Sequence, residues 1–408
     1  MPSDSNILTI NSGSSSIKFS LYVLGEKERL AFKGVLGRIG AGHGFFQAED
    51  QRGSPLVDQE LELTDHKAAF KTLFNWLPGQ EAGDNIHAVG HRLVHGGMTH
   101  VKPQIVSPSL IEVLKQLIPL APDHLPDEIK GVESVRQHFP NSPQIVCFDT
   151  AFHRLMPEVA RRYALPQSLF MEGLQRYGFH GLSYEYIMQE LFKETAAPNM
   201  PSRLIIAHLG NGASMAAVKD GESLDTTMGL TPAGGLVMST RVGDLDPGVI
   251  VYLLQEKGMT PLEVNRLINH QAGLLGISDI SSDMHDLLTQ EEDASAAALA
   301  VEIFCYQARK FIGALAAALG GLDTFVFTGG IGENSAAIRA RICTPLGFIG
   351  MHLDQDLNED NCALISWRGS PVTIRVLKTN EELMIARHTR NILMELQSGE
   401  TMQLKQQQ

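Results

Sequence analysis

Four residues of this sequence carry the most reactive potential: Arg92, Asp149, His180 and Arg241. Each stands among small residues. Arg92 lies in Gly90-His91-Arg92-Leu93-Val94-His95-Gly96-Gly97, directly after a strand-like run, and Asp149 stands the same way in Phe148-Asp149-Thr150-Ala151-Phe152-His153. His180 sits in a glycine-flanked turn, Arg176-Tyr177-Gly178-Phe179-His180-Gly181. Arg241 lies in Ser239-Thr240-Arg241-Val242-Gly243-Asp244, and Thr379-Asn380-Glu381-Glu382 adds two carboxylates near the end. Phosphoryl transfer needs such a set, because the transferring group spreads its negative charge over its equatorial oxygens and catalysis is mostly positioning and electrostatics. The planar fork of arginine matches a carboxylate or those oxygens. A divalent ion on a polyphosphate calls for hard oxygen ligands from Asn, Asp or Glu. Taken singly, an Arg or Asp at a strand end is usually a surface or capping group; the functional reading rests on their joint occurrence. His91, His95 and His153 read as ordinary hydrogen-bonded histidines.

Three loops strengthen that reading. Asn11-Ser12-Gly13-Ser14-Ser15-Ser16 occupies the turn of a first hairpin, with Lys18 just beyond it. His208-Leu209-Gly210-Asn211-Gly212-Ala213-Ser214 follows a buried-type strand. Thr328-Gly329-Gly330-Ile331-Gly332-Glu333-Asn334-Ser335 follows another and opens a helix near Ala336. Small residues let backbone N–H groups and a nucleotide approach closely. Neither glycine loop is a Walker A motif or a dinucleotide fingerprint. Three such loops, each after a strand, resemble the actin-like, sugar-kinase-like nucleotide fold.

The elements that must position these groups are legible as well. Ile7-Leu8-Thr9-Ile10, then Ile17, Phe19 and Leu21, read as strand, turn, strand. Glycines 34, 37, 40, 42 and 44 read as hairpin geometry. From Asp65 the pattern turns helical. It alternates with short apolar strands at Ala88-Val89-Gly90, Gln144–Phe148, Leu204–Ala207 and Phe325–Phe327, which indicates α/β architecture. The clearest helix runs from Ala294 to Leu319, with a stripe through Leu299, Ile303, Gln307, Phe311, Leu315 and Leu319 widened by Ala308 and Ile312. Asp293 is the expected cap, Gly320-Gly321 the stop, and residues 403–408 a frayed end. The letters show no internal repeat and no low-complexity linker.

The bulk numbers narrow the classes. At 408 residues the chain suggests two domains. Its 43% hydrophobic and 19% charged composition is ordinary for a globular protein. A net charge of −13 without a Lys/Arg block makes nucleic acid and anionic membranes poor partners, so an anionic substrate would need a local arginine. The four cysteines form no C-x-x-C pair, which reads as a reduced cytoplasmic protein without a disulfide frame or zinc site. The N-terminus shows no secretion signal. The most apolar segment, Phe311 to Leu322, is 12 residues long, short of the ~20 that a membrane span needs.

In order and spacing, the strings Asn11–Phe19, Gly90–Gly97, Phe148–His153, Tyr177–Gly181, His208–Ser214, Asp225–Gly248, Thr328–Ser335 and Thr379–Ile385 resemble the acetate and propionate kinase family. The resemblance spans about residue 7 to about residue 390. It implies an α/β fold of duplicated actin-like (ribonuclease H-like) domains with an interdomain nucleotide cleft. Residues 1–150 plus 381–408 would form one domain, and residues 151–380 the other, with most of the nucleotide site. The implied reaction is reversible transfer of the ATP γ-phosphoryl group to acetate, giving acetyl phosphate and ADP by direct in-line displacement. Mg²⁺ is the implied metal, with Mn²⁺ as a substitute, and the implied assembly is a homodimer.

The resemblance also implies roles. Asn11 and Glu381 would bind the metal, and Lys18 would touch the nucleotide phosphates. Arg92 would hold the acyl carboxylate, with Asp149 beside it as the catalytic carboxylate. His180 and Arg241 would stabilise the transferring phosphoryl. Val94, His124, Phe179 and Pro232 would shape the acyl pocket. His208, Leu209, Gly210, Asn211, Gly212, Asp283, Met284, His285, Gly330, Ile331, Gly332, Glu333 and Asn334 would line the nucleotide. Two positions depart from the family pattern: His285 stands where an arginine is usual, and Asp123 where an apolar residue precedes the histidine. The propionate-preferring branch tends to have alanine where Val94 stands, so acetate is the expected substrate and propionate the alternative. A non-acyl ATPase of the same fold is the remote alternative. It would not need the cluster of Arg92, His180 and Arg241.

Overall fold

The computed structural model describes residues 5–13, 15–195 and 201–406; Ser14 of the first loop, and residues 407 and 408 of the expected frayed end, lie outside the described residues. The chain forms two compact units. One comprises Met1–Ala151 with Asn380–Gln408, the other Phe152–Thr379.

The first unit holds an eight-stranded sheet. Its strands are β1 (Ser5–Ser12), β2 (Ser16–Leu24), β3 (Glu28–Gly37), β4 (Gly44–Asp50), β5 (Pro55–Leu61), β6 (Ala88–Leu93), β7 (Gln104–Ile105) and β8 (Gln144–Phe148). They lie in the order β5-β4-β3-β2-β1-β6-β8-β7. The meander β1–β5 is antiparallel, whereas β6 runs parallel to β1 and β8 parallel to β6. On β2, Lys18 is exposed near the start, while every residue from Phe19 to Leu24 is buried; Tyr22 and Leu24 pack with Ile7 and Ala386 on the face opposite Phe19 and Leu21. Phe19, Phe32 and Phe46 surround Trp76 with ring centroids 5.8, 5.1 and 5.3 Å away. β8 is buried throughout, as befits a parallel strand covered on both faces.

The long C-terminal helix, Glu381–Gln406, lies against β1 and β6. Gly90 permits this contact: a Cβ there would sit 2.4 Å from Thr389 Oγ1 and 2.5 Å from Ile385 Cγ2. The packing delivers Glu381, the first residue of the helix, to the strand ends that carry Asn11 and Arg92. The helix continues to Gln406, where the sequence suggested a frayed end.

The second unit holds β9 (Arg203–Leu209), β10 (Ala213–Lys219), β11 (Glu222–Thr226), β12 (Thr324–Thr328) and β13 (Thr373–Val376), in the order β11-β10-β9-β12-β13. β9 to β11 are antiparallel, and β12 and β13 run parallel to β9 and β12 respectively. This is the arrangement of β3-β2-β1-β6-β8. Each unit therefore has three antiparallel strands followed by two parallel ones in the spatial order 3-2-1-4-5, a duplication that the letters do not show. The β1–β2 turn corresponds to the β9–β10 turn, and the exit of β6 to the exit of β12.

The helix Ser295–Leu319 packs on this second sheet. Its buried face runs through Val301, Phe304, Cys305, Ala308, Ile312, Leu315 and Leu319, while Leu299 is 54% exposed. The expected stripe is thus rotated over its first half. Small Ala and Cys side chains share the buried face with Val301, Phe304, Ile312 and Leu315. Asp293 makes no cap: Ala294 occupies the N-cap position without a side-chain bond, and Gly320 closes the other end.

Candidate active site

The first unit gathers Asn11, Arg92, Asp149 and Glu381 at the ends of β1, β6 and β8 and the start of the last helix. Arg92 is within β6, one residue before its end, rather than after it; Asp149 directly follows β8. The parallel register pairs Arg92 with Cys147 and Leu93 with Phe148, so Asp149 emerges beside the guanidinium. Arg92 donates from Nε to Asp149 Oδ1 at 3.0 Å and from Nη2 to Asp149 Oδ2 at 2.5 Å. Its Nη1 donates to Asn11 Oδ1 at 3.2 Å, and Glu381 Oε2 lies 3.9 Å from Nε. Asp149 has no exposed side-chain surface and Arg92 keeps 18%.

A guanidinium has five N–H donors. Asp149 takes the side edge and Asn11 one further donor, which leaves, among the described residues, one N–H on each Nη for a carboxylate. Burial alone would lower the Arg92 pKa; Asp149, then Glu381, more than reverse this and hold it above the usual arginine range. Burial pushes Glu381 up to about 7, against the pull of Arg92. Lys18 sits directly across from Asn11 in the β1–β2 ladder. The turn between them is tied down by His66, whose Nε2 donates to the Gly13 carbonyl at 2.7 Å.

Val94 is 3% exposed, and its N–H donates to Glu128 Oε2 at 2.9 Å. His124 occupies the N-cap position of the helix Leu125–His138 without a side-chain capping bond, and its carbonyl accepts from the Glu128 N–H at 3.1 Å. His91 and His153 are structural. His91 pairs with the Gln144 side-chain amide at 2.8 Å and is held down to about 4 by burial. His95 Nδ1 accepts the Gly97 N–H at 2.9 Å.

The second unit brings His180, His208, Ser214, Gly212 and Arg241 together. His180 adopts φ 59°, a left-handed conformation that is strained for a residue with a side chain. Its Nδ1 bonds Ser214 Oγ at 2.8 Å, and that hydroxyl also bonds Tyr184. This directs Nε2 outward. The ring stacks on His208 at 4.3 Å, and His208 Nδ1 bonds Ser183 Oγ at 2.8 Å. His153 braces the same turn. Burial holds it down to about 4, so it is neutral at pH 7. It donates from Nε2 to the Phe179 carbonyl at 3.2 Å and accepts from Ser223 at 2.8 Å. Arg241 Nη1 donates to the Pro232 carbonyl at 3.2 Å.

The His180 and Arg241 side chains converge on one spot. A Cβ added to Gly212 would lie 3.2 Å from His180 Nε2 and 3.5 Å from Arg241 Nη1. Beside it, the expected loop Thr328–Asn334 is itself a short helix, Gly329–Asn334. Gly329 has φ 77°, and a Cβ there would be 2.8 Å from the Leu209 carbonyl, so glycine is required. Glu333 Oε1 secures the turn by accepting from the Gly329 N–H at 2.9 Å and the Thr379 N–H at 3.0 Å. Asp283 caps the helix Met284–Gln290 by accepting the His285 N–H at 2.7 Å, while Met284 is buried beneath it.

The Acetokinase family profile matches residues 6–387. The chain belongs to the acetokinase family. It is 44% identical over 388 residues to an acetate kinase of Rhodopseudomonas palustris, covering 94% of this chain and 97% of that one. It is also 40% identical to an acetate kinase of Halothermothrix orenii over 95% of this chain and 99% of that one. Among solved structures, Porphyromonas gingivalis acetate kinase superposes with a TM-score of 0.85 at 38% identity, over 95% of this chain and all of the other. A propionate kinase from Francisella tularensis gives 0.89 at 38% identity, over 95% and 99%. The α/β fold with a duplicated strand order is therefore the fold of solved family members, and the chain is a kinase of that family.

Several side chains of this site escape sequence reasoning. Glu128 is an acid in a helical stretch, with no local sign that its carboxylate is buried. Ser214 ends the His208–Ser214 loop, but its bond to His180 spans 34 residues. Arg339 is fully buried. Its five N–H groups are all taken by Asn358 Oδ1 and O, Gly332 O, Glu333 O and Asn361 Oδ1, which locks the Gly329–Asn334 turn from below.

Proposed function

We propose that this family member acts as an acetate kinase, moving the γ-phosphoryl group of ATP onto acetate. The observation that carries the reading is Arg92, whose side edge is locked by buried Asp149 while one N–H on each Nη is left for a small carboxylate. In this reading Arg92 holds acetate, and Asp149 keeps the guanidinium in plane and neutralises it. An acetate oxygen attacks the γ-phosphorus as the bond to the bridging oxygen breaks, giving acetyl phosphate and ADP. His180 Nε2 and Arg241 face the equatorial oxygens, where charge develops. The Gly210–Gly212 turn and the Gly329–Asn334 segment offer backbone N–H groups to the nucleotide. His285 cannot supply the forked contact of an arginine, so Asp283 and the backbone carry that end of the site.

The donor set suits Mg²⁺. Asn11 Oδ1 and the Glu381 carboxylate are hard oxygens gathered about one guanidinium, and this ion usually binds through one or two protein oxygens plus water and phosphates. When bound, the ion would draw negative charge from the polyphosphate. Glu381→Ala should raise the Mg²⁺ concentration needed for half-maximal activity; an unchanged Mg²⁺ dependence removes Glu381 from the metal site.

Substrate choice falls to the apolar wall. Val94 follows β6 closely behind Arg92, and its bulk should crowd the extra methylene of propionate. One methylene is worth only ~1–3 kcal/mol, which means preference rather than exclusion. The likeness to the Francisella propionate kinase makes propionate the second reading. Trapping the acyl phosphate as its hydroxamate, with acetate or propionate as acceptor, tests both. The expected result is higher kcat/KM for acetate and a ratio that shifts toward propionate in Val94→Ala. No acyl hydroxamate with either acid rejects the proposed function; a parent that prefers propionate rejects the acetate assignment.

A further inference from the structure

Glu128 is a buried carboxylate that the reaction as described does not use. It lies in the first turn of the helix Leu125–His138, is 2% exposed, and accepts the Val94 N–H at 2.9 Å. Its own N–H is bonded to the His124 carbonyl at 3.1 Å. One residue thus ties the turn bearing His124 to the strand exit bearing Arg92 and Val94, all three of them acyl-site candidates. We propose that Glu128 positions the acyl half-site and that it must be uncharged for acetate to bind beside Arg92. This rests on reading Arg92 as the anchor of the acetate carboxylate.

The argument is a count of charges. Arg92 already faces Asp149 at hydrogen-bond distance and Glu381 at 3.9 Å. Acetate brings one more negative charge. An ionised Glu128 would add a further one in a place closed to water, where repulsion is poorly screened. The charged groups acting on Glu128 are Arg92 on β6, Asp149 after β8 and Asp127 on its own helix. Asp127 is in turn paired with Lys130 at 2.9 Å and lies 3.9 Å from His66 on the neighbouring helix. On the helix Pro108–Gln116, Lys115 pairs with Glu133 at 3.8 Å. Burial pushes Glu128 up to about 8, overcoming the pull of Arg92 and of the Val94 N–H. The group is therefore neutral below that pH and ionises above it, so acetate affinity is full near neutrality and is lost as pH rises through about 8.

The test is the acetate KM between pH 6 and 9.5 at saturating ATP, in the parent and in Glu128→Gln. The glutamine keeps an oxygen for the Val94 N–H and cannot ionise. The parent's acetate KM should rise up to about tenfold from pH 7 to pH 9, the limit for a site that binds in one protonation state. Glu128→Gln should lose that rise, while the ATP KM stays flat in both. The same alkaline rise in the variant overturns the proposal. Should the variant not fold, calorimetry of the parent with acetate at pH 8, in two buffers of different ionisation enthalpy, decides: net proton uptake supports it and none overturns it. A parent that makes no acetyl hydroxamate at any pH rejects the functional reading; one that makes it with a flat profile rejects the role of Glu128 alone.

Discussion

Arg241→Ala should lower kcat by roughly two to three orders of magnitude and change the ATP KM by no more than a few-fold. The loss of one preorganised donor to a developing negative charge is worth about 3–4 kcal/mol. Arg241 meets the conditions for such a donor. Its Nη1 is oriented by the Pro232 carbonyl, and it converges with His180 Nε2 on the open face of Gly212. His180 is itself fixed, by its Ser214 bond and its left-handed backbone. In the proposed role the charge these groups face grows during transfer, so their contribution would belong to turnover rather than to ground-state binding. Steady-state kinetics with ATP and acetate varied independently make the check. A variant in which the ATP KM rises while kcat holds would show that Arg241 binds nucleotide and does not stabilise the transition state.

Asp149→Asn should damage stability and acceptor use together. Asp149 is wholly buried, and both of its oxygens are bonded to Arg92. An asparagine keeps the shape but turns an N–H₂ toward one guanidinium N–H and removes the charge that neutralises Arg92. Breaking a buried pair in this way usually costs about 3–5 kcal/mol. Glu381, 3.9 Å from Arg92, should soften the loss toward the lower figure. The guanidinium then loses its fixed plane, and kcat/KM for acetate should fall at least about 100-fold, the scale of a misplaced reacting group. Thermal unfolding and acetate kinetics measure the two effects. An unchanged melting temperature would contradict the buried pair, and parental kcat/KM would remove Asp149 from the reaction.

The residues proposed to carry the chemistry were legible because each stands where periodicity breaks. Short apolar runs give way to polar and glycine-rich stretches at Asn11, Gly90–Gly97, His208–Gly212 and Thr328–Asn334, and strand ends are where a sheet presents side chains and free N–H groups. The helix Ser295–Leu319 was legible as an element but not in orientation, since a sequence rich in Ala and Leu offers more than one apolar face. Arg339, Ser214 and Glu128 were not legible as parts of the site. A buried arginine satisfied by carbonyls and a buried glutamate beside an arginine use the same letters as their exposed counterparts.

By itself, the sequence determined the α/β class, the strand-end loops and the family. These depend on local alternation, on glycine and on motif spacing, all of which are written along the chain. Tertiary structure alone decided which edge of Arg92 is occupied, how His180 is aimed and which face of the long helix is buried. Each of these follows from pairing between residues far apart in sequence. Asp149 meets Arg92 because β8 lies parallel to β6 in one register, and Glu381 reaches them because the last helix can lie against Gly90.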